Sequence, residues 1–131
     1  MAEQSQNDTE HRLAKWDSEE AALLLQGYLI VKAGWASRTD VIAAISRLLR
    51  QRAFDRNGSV SEKFRNVNGI EMQMGSMAVA TGDRNYGKWT CSELFRQTAS
   101  MYQKNYPQYA ALISKLRREG YDIEKELGIV Q

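Results

Sequence analysis

Asp17-Ser18-Glu19-Glu20-Ala21-Ala22-Leu23-Leu24-Leu25-Gln26-Gly27-Tyr28-Leu29-Ile30-Val31-Lys32-Ala33-Gly34 reads as one complete helix with its own start and stop. Asp17 and Glu20 stand at capping-box spacing: the Asp side chain accepts an orphan amide hydrogen bond of the first turn, and the Glu reaches back to the cap. Trp16, just ahead, is placed to staple the entry. Gly34 supplies a left-handed stop. Between these ends Ala21, Leu24, Leu25, Tyr28 and Val31 recur at helical spacing, and Leu23, Leu29 and Ile30 widen the apolar surface beyond a stripe. A helix this apolar around its circumference is read as the centre of a bundle, with cover by a partner as the alternative.

The flanking segments extend that reading. Ser37-Arg38-Thr39-Asp40 caps a second helix running to about Arg52, with Val41, Ile42, Ala44, Ile45, Leu48 and Leu49 inward. The short Gly34-Trp35-Ala36 connection admits a helix-turn-helix, but paired helices with basic flanks are commoner in plain bundles. Asp55-Arg56-Asn57-Gly58 is a turn, and residues 59–67 are given at most one irregular helical turn. Asn68 and Glu71 form a second capping box, starting a helix at Gly69 or Ile70 with Ile70, Met74, Met77 and Ala78 on one face. Thr90-Cys91-Ser92-Glu93 opens another, whose apolar face is Leu94, Phe95, Thr98, Met101 and Tyr102. Pro107 ends that helix and begins the next, which packs Tyr109, Leu112, Ile113 and Leu116 and closes behind Lys115, Arg117 and Arg118 at Gly120. Tyr121 to Val130 is a short amphipathic cover. No alternating strand pattern or internal repeat appears, so the expected fold is all-α, a compact bundle of five to six short helices. Residues 15–131 form its single domain, and residues 1–14 are a flexible polar tail.

Composition narrows the chemistry. An apolar content of 43% with a single proline places the chain among folded proteins rather than disordered ones. Cys91 is the only cysteine, which excludes an internal disulfide and points to a reducing, cytoplasmic setting. His11 is the only histidine and lies in the polar tail, so a histidine-based dyad or metal cluster is not expected. No nucleophile stands beside a positioned base, and the Thr81 to Lys88 loop lacks phosphate-loop spacing. We therefore expect no enzyme, metal or cofactor. No apolar run reaches the length of a membrane span.

Charge is the most uneven property of the chain. Residues 1–34 hold six acids against three bases, residues 35–65 three against seven, and residues 66–131 seven against eight. The basic middle, Arg38, Arg47, Arg50, Arg52, Arg56, Lys63 and Arg65, leads into Asn66 and Asn68. An arginine with two asparagines at a helix start suits a phosphate or a base edge, although a local ion pair and turn hydrogen bonds are the plainer use of the same residues. Candidate contacts to nucleic acid or a partner are thus Arg65, Asn66, Asn68 and Gln73 for specific polar contacts and Arg38, Arg47, Arg50, Arg56 and Lys63 for phosphates. Arg84 and Lys88 join them from the loop. Tyr102, Tyr106 and Tyr109 suggest a base-stacking platform, but their spacing of four and three is more simply a helix–helix seam.

Phe64 to Gly69 resembles the F-R-N-x-N-G segment of small helical modules found beside HNH-type nucleases and helicase-like proteins of bacterial restriction and defence loci. A wider pattern also resembles uncharacterised modules in proteins of gut-type Firmicutes, over roughly residues 16 to 105. It comprises Trp16-Asp17, Glu20, Leu24-Leu25, Tyr28, Gly34, Ser37-Arg38, Ile45-Ser46, Leu49-Arg50, Ala53, Phe64-Arg65-Asn66, Asn68-Gly69-Ile70 and Gln73-Met74. Such modules usually accompany a separate catalytic domain. The resemblance implies a non-enzymatic module that engages nucleic acid or a nucleic-acid-processing protein, in a bacterial or phage defence context. The alternative is an inhibitor of anti-CRISPR type that blocks an effector nuclease. The third reading is a helical adaptor or homodimer built on the wide apolar face of the first helix.

Overall fold

The computed structural model describes residues 15–86 and 90–129. The expected tail, residues 1–14, and Lys88 lie outside them. Among the described residues the chain forms six α-helices and one 3₁₀ turn, Arg84–Tyr86, and no strand. We label the helices α1 (Ser18–Ala33), α2 (Arg38–Asn57), α3 (Val67–Ala80), α4 (Glu93–Lys104), α5 (Tyr106–Arg118) and α6 (Ile123–Leu127).

Helix α1 is the axis of the bundle. Its ends are the ones its sequence specifies: Asp17 accepts from the Glu20 amide at 2.8 Å, Glu20 accepts from the Asp17 amide at 3.0 Å, and Gly34 adopts φ 78°. Ala21, Ala22, Leu23, Leu24 and Leu25 are consecutive and all fully buried. Five successive residues span more than a full helical turn, so α1 is covered on every side, by α2, α3, α4 and α5. Each buried leucine contributes roughly 2 kcal/mol by leaving water. A Cβ on Gly27 would lie 2.5 Å from Ile45 Cδ1 and 2.9 Å from Val41 Cγ1, so this glycine lets α2 approach closely.

The remaining helices take positions set by the same stripes. On α2, Val41, Ile42, Ala44, Ile45, Leu48 and Leu49 are buried as expected, but the helix continues past Arg52 to Asn57. The Asp55 to Asn57 segment read as a turn is its last turn, and Gly58 at φ 76° is the stop. On α3, Ile70, Met74, Met77 and Ala78 face the core, yet the start differs from expectation. Asn66, not Asn68, is the cap, and its side chain accepts from the Gly69 amide at 2.8 Å. Helix α4 is likewise capped by Ser92, which accepts from Phe95, rather than by Thr90. A single residue, Asn105, separates α4 from α5, and Pro107 in the first turn of α5 needs no amide partner there. Helix α6 packs on α2 with Ile123 fully buried.

Candidate functional site

The residues singled out by sequence divide into three groups in space. The first is the elbow between α2 and α3. Arg65 is only 8% exposed and faces Glu20, 4% exposed, across a bidentate pair: Nε lies 2.8 Å from Oε2, and Nη2 lies 3.1 Å from Oε1. The guanidinium also donates to the Lys15 carbonyl and lies between the rings of Trp16 and Phe64, 4.6 and 4.4 Å from their centroids. Paired, hydrogen-bonded and flanked by two rings, it presents no free edge to a phosphate. Its backbone is in the left-handed region at φ 48°, and Ser46 Oγ donates to its carbonyl at 2.8 Å, which holds that conformation. Arg50 Nη1 gathers three carbonyls, those of Ser61, Glu62 and Phe64, at 2.7 to 3.1 Å. Arg65, Arg50 and Asn66 thus each have a structural task, in the buried pair with Glu20, the carbonyl cradle and the cap of α3.

The second group is a surface of ion pairs. Arg52, buried, meets Asp17 at 3.0 Å and Glu19 at 3.1 Å. Glu19 also receives Lys115 at 2.6 Å and Arg56 at 3.7 Å. Burial alone would raise the Glu19 carboxyl, but hydrogen bonds from Lys115 and Arg52 outweigh it and hold the group below the ordinary glutamate value. Arg47 pairs with Glu126 at 2.7 Å. Asp17, Glu19 and Glu20 at the start of α1 thus meet Arg52, Arg56 and Arg65 of the basic middle third.

The third group remains at the surface. Arg38 donates to the Tyr86 hydroxyl at 3.2 Å, which ties α2 to the 3₁₀ turn. Lys63, Asn68 and Arg84 are exposed and Gln73 is half-buried.

A different place has the geometry of a site. Between the C-terminal end of α1 and the α4–α5 pair lies an open cleft of about 630 Å³, lined by Leu29, Ile30, Trp35, Tyr102, Tyr106, Tyr109, Ala110 and Ile113, with Gln26, Lys32, Ser114, Arg117 and Glu124 among its polar residues. Comparison with protein-family models, curated proteins and solved structures found no match to this chain. What the cleft can do therefore has to be read from its own chemistry.

Its three tyrosines touch one another, with centroids 5.2 to 6.1 Å apart, but they serve different ends. Tyr109 is the seam residue that the spacing suggested: it is buried and donates to the Ala22 carbonyl at 3.1 Å, and burial pushes its hydroxyl far above the usual tyrosine range. Tyr102 is half-buried, and Tyr106 is 57% exposed. Trp35, across the cleft, is 61% exposed. Lys32 is held by Asp83 at 3.2 Å, and Arg117 by Glu124 at 3.1 Å. Sequence reasoning passed over Trp35 as a turn residue. A tryptophan in a three-residue connection, where no core awaits it, was the available signal.

Among the described residues no group of three or more His, Cys, Asp or Glu side chains gathers at metal-binding distance, and no helix is long and apolar enough to cross a membrane.

Proposed function

We propose that the chain is a non-enzymatic binding module that engages a nucleic-acid-processing protein. The observation that carries this reading is the fate of the basic third. Arg47, Arg50, Arg52, Arg56 and Arg65 are all taken up by the chain's own carboxylates or carbonyls. Phosphate contacts dominate affinity for nucleic acid, and few cations of this segment are left to make them. An open ring-lined cleft with a polar margin suits a protein partner better, since exposed tryptophan and tyrosine are the side chains enriched at such interfaces. The link to nucleic-acid processing rests on the resemblance of Phe64 to Gly69 and its wider pattern to modules found beside nucleases and helicase-like proteins.

The test is a pull-down of the tagged chain from host and phage-infected cells, with and without nuclease digestion, together with titration of duplex and single-stranded oligonucleotides at several salt concentrations. A protein retained after digestion, with weak oligonucleotide affinity, is the expected result. If that protein is an effector nuclease whose cleavage stops in a stoichiometric complex, the module is an inhibitor. Recovery of DNA or RNA with a steep salt slope, and loss of partners on digestion, contradicts the proposal.

A further inference from the structure

We draw no further inference here: the strongest candidate, the ring-lined cleft between the C-terminal end of α1 and the α4–α5 pair, opens to solvent at Trp35 and Tyr106 with its cations Lys32 and Arg117 already paired, and nothing in the structure shows what covers it.

Discussion

Around Arg65 two aromatic rings close on a guanidinium already held by a carboxylate, whereas around Tyr106 and Trp35 the rings stand open to solvent. Both places combine aromatic surface with polar groups, and they differ in whether the chain itself supplies the complement. At the elbow it does: Glu20 meets Arg65, Ser46 meets the Arg65 carbonyl, and Arg50 meets three more carbonyls. At the cleft it does not. Residue type alone is therefore a poor guide to recognition. Arg50, Arg65 and Asn66, which would suit a nucleic acid, here hold an irregular connection in place, while tyrosines that read as a seam provide both a seam residue, Tyr109, and an exposed one, Tyr106.

The contrast is most sharply broken by removing the elbow's charge. Arg65→Met leaves the Glu20 carboxylate buried without its partner, and stability should fall by about 3–5 kcal/mol in urea unfolding, with partner retention unchanged wherever the variant is still folded. Ser46→Ala is the next largest effect. It leaves the buried Arg65 carbonyl without its donor and should cost about 1–3 kcal/mol.

Cap exchange separates two neighbouring asparagines. Asn66→Ala should cost about 1 kcal/mol in the same assay, while Asn68→Ala should cost less than about 0.5 kcal/mol; equal costs would return the cap to the position that spacing favours. Smallest of the stability effects is that of the cleft. Trp35→Ala and Tyr106→Ala should each change stability by less than about 1 kcal/mol and yet lose the partner in the pull-down.

Acid provides a graded test of the ion-pair surface. Glu19 has its folded carboxyl below the ordinary value of 4.5, so the unfolded chain takes up its proton first. Its contribution is complete well above that value and is lost as pH falls through it toward the lower folded one. Asp83, held down by the Tyr28 hydroxyl and the Asn85 amide, and Asp55, held down by the Tyr121 hydroxyl and Gln51, add their losses below the ordinary aspartate value of 3.8. Melting temperature should therefore drop steeply on the acid side, and Glu19→Gln, less stable at neutral pH, should show a shallower drop. An identical acid slope in the variant would mean that Glu19 is not held by Lys115 and Arg52 as described.

Much of the fold was legible because its signals are local. The Asp17–Glu20 box, Gly34, Ser37 and Pro107 act within one turn of themselves, and the stripes on α1, α2 and α3 have the period of a helix. Boundaries slipped where two candidates stood within two residues: Asn66 against Asn68, Ser92 against Thr90. At α3 the choice is tertiary, because Ser46, on another helix, pins the Arg65 carbonyl just ahead of the cap. The end of α2 was misplaced because Asp-Arg-Asn-Gly is an equally good last helical turn when Gly58 takes the left-handed conformation. The site was least legible, since Arg65 and Glu20 are forty-five residues apart and the cleft joins Trp35 to tyrosines far along the chain. One global signal did exist. Asp17, Glu19 and Glu20 precede a segment with seven bases, and three of those bases, Arg52, Arg56 and Arg65, pair with them.

The central claim is that Arg65 belongs to the fold, and a double-mutant cycle between Glu20 and Arg65 tests it most directly. Urea unfolding of wild type, Glu20→Leu, Arg65→Met and the double variant should give single-variant losses of about 3–5 kcal/mol and a double variant far more stable than their sum implies, a coupling of about 2 kcal/mol or more. Additive losses, or an Arg65→Met variant as stable as wild type, would contradict the account and return Arg65 to the list of residues available for recognition.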